Sequence, residues 1–351
     1  MKNQYMLITN FSKNNNNTQN LGLELLRMLL SFWVVLFHCF KLKNRYLIKI
    51  IKKKILHVPT FFFISFYFLL KNLFERNITK IKLRFERLLI PYFVYPIIVW
   101  TVNNLVYFPF KKSRFNRFLT FHDLIVQFII GRNFIGVLWF QFNLIFFTLF
   151  FFIISFAFKN NFLNILQIIG ILSYIPQFSE YNYNYFIKFK SPIKGTLGYF
   201  SETMPIAVTS LSFSSMNIIQ KCKDNRKKSL FFSIIILYYI FHYDIFTDYK
   251  GFAYKGIYKN IGSLCLFVFF FLLPFEKIHS KKVKSFIKQI TSYTQGIYCL
   301  HSIVRYYLQF IINSVKNYTF FGCIIIYCVS YLISFIGIKI LGKTKLKNLF
   351  I

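Results

Sequence analysis

The sequence has few acidic residues. Among its 351 residues there are 10 Asp and Glu against 44 Lys and Arg, which gives a formal net charge of +34. Such an excess indicates an anionic partner, which is nucleic acid, anionic lipid or an anionic cofactor. The basic residues occur in short clusters between apolar stretches, and this is how membrane proteins distribute charge. We therefore predict contact with membrane lipid and no nucleic-acid partner.

Cysteine is also sparse, and no two cysteines form a CxxC pair. Most of them fall inside apolar stretches, where a thiol acts as a small hydrophobic side chain. We predict free, mostly buried thiols and no metal site. The six positions are Cys39, Cys222, Cys265, Cys299, Cys323 and Cys328.

Long polar segments are missing from most of the chain. Hydrophobic residues make up 56% of the sequence, the mean hydropathy is +0.49, and stretches such as 144–158 are apolar on every helical face. A helix without a polar face is surrounded by lipid or by other helices. No cleavable signal peptide is expected, because the first apolar stretch follows a polar tail and carries charges.

The apolar stretches predict an all-α, polytopic transmembrane helical bundle of about ten spans. We predict an Asn-rich, disordered tail at 1–19, a membrane domain at 20–342, a basic tail at 343–351 and an amphipathic helix around 123–130. No internal repeat is evident, which argues against a transporter built from duplicated halves. The predicted spans are about 21–40, 57–70, 88–107, 136–158, 162–176, 195–219, 230–246, 261–275, 292–312 and 320–341.

The distribution of basic residues predicts the orientation in the membrane. Connectors that share one side with the two termini are rich in Lys and Arg, whereas those on the other side are not. Cytoplasmic connectors carry the excess of positive charge, so we predict that both termini are cytoplasmic. The basic connector at 41–54 departs from this pattern. The basic set is 71–87, 221–228 and 277–288, and the opposite set is 179–194, 247–259 and 313–319.

The first predicted span contains three ionisable residues, Glu24, Arg27 and His38. Arg27 and His38 are eleven residues apart, which is close to three full helical turns, so they share a face about 16 Å apart along the axis. Glu24 lies one turn from Arg27, at ion-pair spacing. These residues form either a polar stripe from the membrane edge to its middle, or an interfacial ion pair and a separate core histidine.

A second polar pair, Arg84 and Arg87, precedes the third predicted span. Residues three apart project from one helix face. Two guanidinium groups there suit bidentate binding of phosphates at the membrane surface. The other interpretation is an ordinary basic anchor on the cytoplasmic side.

The segment 21–27, followed by His38, resembles the opening of the acyltransferase family 3 proteins. These are integral membrane enzymes that move acyl groups, often acetyl, onto sugars and other hydroxyls. Their signature in the first span is an Arg, ten residues and then a His, which here are Arg27 and His38. The family usually has Asp where this chain has Glu24, and that change preserves the charge.

Four further segments resemble the family in the same order along the chain. Residues 58–67 resemble its second span, with Phe66 where the family has Gly, so close helix approach is not expected there. Arg84 and Arg87 match its Arg-x-x-Arg. Residues 138–140 resemble its Leu-Trp-Phe segment, and 294–301 resemble its Gly-Ile-Tyr-Leu-x-His. The resemblance covers about 21–341, nearly the whole chain.

The resemblance implies roles for these residues. His38 would be the general base, Arg27 would orient it or stabilise negative charge, and Glu24 would complete this catalytic set. Arg84 and Arg87 would hold the phosphates of coenzyme A. Five more residues are site candidates of lower rank, on the same resemblance: Ser65, Tyr67, Trp139, Tyr298 and His301.

We therefore predict a multi-pass membrane acyltransferase. Its donor substrate would be acetyl-CoA or another acyl-CoA, and its acceptor a hydroxyl of a carbohydrate or lipid-linked molecule. No bound cofactor and no attached soluble esterase-like domain are expected. Two alternatives remain at this point. One is a transporter or channel that uses the polar stripe of the first span, and the other is a family member that has lost catalysis.

Overall fold

The computed structural model describes residues 20–39, 57–110, 118–131, 134–135, 138–159, 161–178, 203–210, 218–246, 252–275, 280–311 and 320–343. Within these ranges the chain forms twelve helices and no strand, so the predicted all-α class is confirmed. In chain order they are α1 Leu21–Cys39, α2 His57–Phe74, α3 Ile78–Phe110, α4 Phe121–Ile130, α5 Trp139–Ala157, α6 Phe162–Phe178, α7 203–210, α8 Ile218–Asp224, α9 Arg226–Phe246, α10 Phe252–Leu272, α11 Lys281–Ile311 and α12 Phe320–Leu341.

Local sequence signals explain where two of these helices begin. Before α1, the side-chain oxygen of Asn20 accepts a hydrogen bond of 3.1 Å from the backbone N–H of Leu23, as N-terminal capping residues do. Before α4, Thr120 and Asp123 form a reciprocal capping box, and Gly131 ends the helix with a φ of 72°, a value that favours glycine. The predicted amphipathic helix is thus confirmed, and it begins two residues earlier than expected.

The first helix, α1, lies at the centre of the arrangement and packs against α2, α10, α11 and α12. Two contacts between α1 and α11 each join residues that are 267 positions apart in the chain. The Thr291 hydroxyl donates to the Glu24 carbonyl at 3.1 Å, and the Arg305 guanidinium donates to the His38 carbonyl. Because the offset is the same at both contacts, α1 and α11 run side by side in the same direction.

The start of α1 lies directly against the end of α10. A Cβ atom added to Gly22 would lie 1.9 Å from the Phe270 carbonyl oxygen, far inside van der Waals contact. The Asn20 amide also donates to the Phe271 carbonyl at 3.0 Å. Only a residue without a side chain fits at position 22, because the backbones of the two helices meet there.

Position 66 is filled by a packed ring. Phe66 of α2 is completely buried, and its ring centroid lies 5.5 Å from that of Phe147 and 6.2 Å from that of Phe151, both on α5. Edge-to-face contacts of this kind stabilise aromatic cores. Phe66 therefore fills the space between α2 and α5 and belongs to the largest buried cluster of the described chain.

Several helices begin earlier in the sequence than we predicted. The third span was expected to begin at 88, but α3 begins at Ile78, so Arg84 and Arg87 lie inside a helix of 33 residues and not in a connector. Likewise α11 begins at Lys281, α9 at Arg226 and α10 at Phe252, which makes much of the predicted connectors 221–228, 247–259 and 277–288 helical. Lys and Arg are good helix formers, so the helices continue beyond their apolar segments.

Four described helices are long and apolar enough to cross a membrane, namely Leu21–Cys39, Ile78–Leu105, Trp139–Ala157 and Gly322–Ile340. Shorter apolar helices include Val58–Phe74 and Asn260–Leu272. The count of ten spans is not confirmed by these ranges. The predictions for 1–19, 41–54, 179–194, 313–319 and 344–351 lie outside the described residues.

The six cysteines are free, as predicted. Four of them are buried, Cys222 is half-buried, and Cys328 on α12 is exposed, so the prediction of mostly buried thiols is confirmed. An exposed thiol on a membrane helix faces the side of the bundle where lipid or a neighbour lies.

Candidate functional site

The candidate residues form two groups at opposite ends of α1. The arginine cluster comprises Arg27 and Arg84 with their partners Glu24, Ser65 and Thr148. The histidine cluster comprises His38, His301 and Arg305. Since Arg27 and His38 are eleven residues apart on one helix, the two clusters are separated by about 16 Å along the axis.

In the arginine cluster, the ion pair predicted from spacing is present. A guanidinium nitrogen of Arg27 lies 3.6 Å from a carboxylate oxygen of Glu24, and the two side chains keep 35% and 13% of their exposure. The positive charge of Arg27 also acts on Arg84 of α3. Like charges that act on each other favour an anion near them.

Arg84 is held by hydroxyl groups from two other helices. Its Nη2 donates to Ser65 Oγ of α2 at 2.8 Å, and its Nε donates to Thr148 Oγ1 of α5 at 3.1 Å. Among the described residues no carboxylate forms an ion pair with it. A guanidinium has five N–H groups, so three remain for another acceptor within this part of the chain. The half-buried Arg84 is therefore fixed in place and able to bind a further anion.

Arg87 differs from Arg84 although the two are three residues apart. Its side chain is exposed, and its backbone carbonyl accepts a hydrogen bond of 2.7 Å from the Gln295 side chain of α11. One residue of the predicted pair thus points into the bundle and the other lies at its surface. Only Arg84 joins the arginine cluster.

In the histidine cluster, two imidazole rings lie against each other. The ring centroids of His38 and His301 are 5.0 Å apart, with 39° between the ring planes. The structure thus brings a predicted residue of lower rank, His301, directly beside the main candidate. The structure describes α1 as far as Cys39, and the position of His38 in the middle of the membrane stays a prediction.

The orientation of the fully buried His301 fixes its tautomer. Its Nδ1 lies 3.1 Å from the Ile297 carbonyl oxygen. A carbonyl only accepts hydrogen bonds, so Nδ1 carries the hydrogen and Nε2 is the basic nitrogen of the neutral ring. The His301 ring also contacts the Tyr298 ring, and their centroids are 5.9 Å apart.

A row of aromatic rings leads from the histidine cluster towards α2. Tyr298 lies 5.2 Å from Phe140, and Phe140 lies 4.4 Å from Phe62. Trp139 lies 5.9 Å from Phe62. Two further candidates of lower rank, Trp139 and Tyr298, therefore belong to this row of packed rings.

Tyr67 has a different position from the other candidates. It is buried, and its ring lies 5.0 Å from that of Phe267 on α10. That contact belongs to the packing of α2 against α10, and Tyr67 is in neither cluster. Its role as a site residue stays a prediction without support from the geometry.

Two members of the clusters were not predicted, Thr148 and Arg305. Thr148 is one hydroxyl in a long apolar helix, and its sequence context gives no signal. Arg305 did carry a signal. It is a cation inside a predicted span, four residues after His301, and such residues usually mark a functional cavity.

Residues 20–338 match the family model described as an acyltransferase domain. No curated protein and no solved structure matches the chain. Together with its apolar helices, the match makes this a membrane protein and an acyltransferase that transfers groups other than amino-acyl groups, which favours the enzyme over the transporter or channel. The chain belongs to the acyltransferase family 3.

Proposed function

We propose that this membrane acyltransferase moves an acyl group, acetyl in the first instance, from acyl-CoA to a hydroxyl of a carbohydrate or lipid-linked acceptor. The observation that carries the proposal is the separation of the two clusters. Coenzyme A carries its phosphates at one end and its thioester at the other, with the long pantetheine arm between them. A donor bound by the arginine cluster therefore extends along α1 towards His38.

The arginine cluster would bind the phosphates of the donor. Arg84 has a fixed guanidinium with N–H groups available, and such groups bind phosphate oxygens with charge-assisted hydrogen bonds. Arg87 at the surface would meet the donor as it enters. Because Arg27 is about 16 Å along the helix from His38, we assign it to donor binding, with Glu24 as its ion-pair partner, in place of the predicted role of orienting the base or stabilising negative charge.

His38 would act as the general base. The acceptor hydroxyl loses its proton to the imidazole as its oxygen attacks the thioester carbonyl, and a new C–O bond forms. The tetrahedral intermediate then collapses, the C–S bond breaks, and the coenzyme A thiolate leaves and takes up the proton. His301, whose Nε2 is the basic nitrogen, lies beside His38 and would stabilise its protonated form.

The donor is made in the cytoplasm, and we propose that the arginine cluster faces that side. This assignment follows from the predicted topology of about ten spans with both termini cytoplasmic, since the cluster includes residues near the start of α1. The acceptor would then approach the histidine cluster at the other end of α1.

The test is the release of coenzyme A thiol from acetyl-CoA by the purified protein with a mixture of carbohydrate acceptors. We expect release by the wild type and a loss of about 10²–10⁴-fold in His38→Ala, the usual contribution of a general base. The matched control is His122→Ala, since His122 is an exposed histidine of α4 outside both clusters. Full turnover in His38→Ala would show that His38 is not the base.

A further inference from the structure

Arg305 of α11 contacts the backbone of the proposed base. Its Nη1 donates a hydrogen bond to the carbonyl oxygen of His38. His38 is in the last described turn of α1. A hydrogen bond from a charged guanidinium is stronger than one between two neutral groups. Arg305 therefore holds the backbone of α1 at the residue that would carry out the chemistry.

Two contacts to His38 come from one face of α11. His301 and Arg305 are four residues apart, so they lie one above the other on that helix. His301 contacts the His38 ring at 5.0 Å between centroids, and Arg305 binds the His38 carbonyl. The charge of Arg305 also acts on the neighbouring Cys39, which places the guanidinium beside the last residues of α1.

We infer that Arg305 is a positioning residue for acyl transfer, acting through His38 and not on the substrate. The inference rests on the proposed function, since it assumes that His38 is the base. A ring held against His301 and a backbone held by Arg305 leave His38 little freedom to move. Small displacements of a reacting group reduce rates by about 10²-fold, so loss of Arg305 lowers kcat. The KM for acyl-CoA stays unchanged, because the arginine cluster lies at the other end of α1.

A purely structural role for Arg305 leads to a different result. A backbone contact without a catalytic consequence would change the amount of folded enzyme, while each folded molecule would keep its full kcat. The experiment therefore measures kcat per folded molecule, with folded protein counted by size-exclusion chromatography. It also measures the KM for acetyl-CoA separately.

The test compares Arg305→Met with Arg305→Lys in the full-length protein in detergent. We expect a fall in kcat of about 10- to 100-fold for the Met variant, with an unchanged KM. The Lys variant keeps a cation that can donate to the His38 carbonyl, so its kcat recovers to within about threefold of wild type. The control is Arg226→Met, at an exposed arginine that begins α9.

Three results would overturn the inference: full kcat in Arg305→Met, a rise in KM as large as the fall in kcat, or a Lys variant as slow as the Met variant. If the Met variant does not fold, Arg305→Gln replaces it, because Gln can donate an N–H without a charge. The Gln variant must then be slower than the Lys variant at unchanged KM, and a kcat equal to wild type would refute the inference.

The failure of this inference is distinct from the failure of the proposed function. If the wild type releases no coenzyme A, or if His38→Ala keeps full turnover, the proposed function is wrong. If His38→Ala is inactive while Arg305→Met keeps its kcat, the base is correct and only the role of Arg305 is refuted.

Discussion

The two ends of α1 are built in different ways. At the arginine cluster, Arg84 of α3 is held by hydroxyls of α2 and α5, and the charge of Arg27 on α1 acts on it. At the histidine cluster, the two described partners of His38, which are His301 and Arg305, both lie on α11. The described contacts of Arg84 thus depend on the packing of several helices, whereas those two contacts of His38 depend on the interface between α1 and α11. Changes at the arginine cluster should therefore alter KM and stability, and changes at the histidine cluster should alter kcat.

The largest expected effect at the arginine-cluster end comes from its packing. Phe66 follows Ser65 in α2 and is completely buried between α2 and α5. Phe66→Ala removes a buried ring and leaves a cavity, which costs about 3–5 kcal/mol. The measurement is thermal unfolding in detergent, with Phe68→Ala as control, since Phe68 keeps 38% of its exposure. Equal unfolding midpoints for the two variants would contradict the packing described here.

The next prediction compares the contributions of Arg84 and Arg87 to the binding of acetyl-CoA. Arg84→Gln removes a fixed charge, and charge-assisted hydrogen bonds are worth about 1.5–3 kcal/mol, so the KM for acetyl-CoA should rise about 10- to 100-fold. Arg87→Gln removes an exposed charge worth about 0.2–1 kcal/mol, so its KM should rise at most about fivefold. The measurement is the dependence of the initial rate on acetyl-CoA concentration.

Three outcomes of that experiment would contradict the different roles assigned to Arg84 and Arg87. Equal KM increases would mean that Arg87 binds the donor as strongly as Arg84 does. A loss of kcat alone in Arg84→Gln would place Arg84 with the chemistry and not with donor binding. An unchanged KM in both variants would remove the phosphate-binding role from the pair.

Part of this site was predictable from the sequence. The period of the helix placed Glu24 beside Arg27 and put Arg27 and His38 on one face, because these relations lie within one helix. Capping residues marked the start of α4 in the same local way. The sequence also indicated the membrane class and the family, since both depend on composition and on ordered motifs.

The rest could not be predicted, because it depends on contacts between helices far apart in the chain. Arg84 and Arg87 look equivalent in the sequence, and only the hydroxyls of Ser65 and Thr148 distinguish them. The contact of Arg305 with His38 joins residues 267 positions apart. Helix starts were placed too late because a basic segment can be a connector or the first turns of a helix, and its composition does not distinguish the two.

A smaller effect is expected where α1 meets α10. Gly22→Ala places a Cβ against the Phe270 carbonyl, and overpacking of this kind costs about 1–3 kcal/mol. Gly337→Ala is the matched control, because its Cβ would lie at an ordinary 3.7 Å from Leu300 and alanine favours the helix. Thermal unfolding should show a lower midpoint for Gly22→Ala and an equal or higher one for Gly337→Ala. The reverse order would mean that the two backbones do not meet at position 22.

The smallest effect tests how Arg84 is held. Ser65→Ala and Thr148→Val each remove one hydroxyl that accepts a hydrogen bond from Arg84. A typical hydrogen bond contributes about 0.5–1.5 kcal/mol, so the KM for acetyl-CoA should rise about 2- to 13-fold in each variant. Groups in one network are not additive, so both changes should have little further effect on KM in the Arg84→Gln background. If they add their full effect there, the hydroxyls contact the donor themselves and do not act through Arg84. That result would make the arginine cluster a surface with several separate contacts in place of one guanidinium fixed by its neighbours.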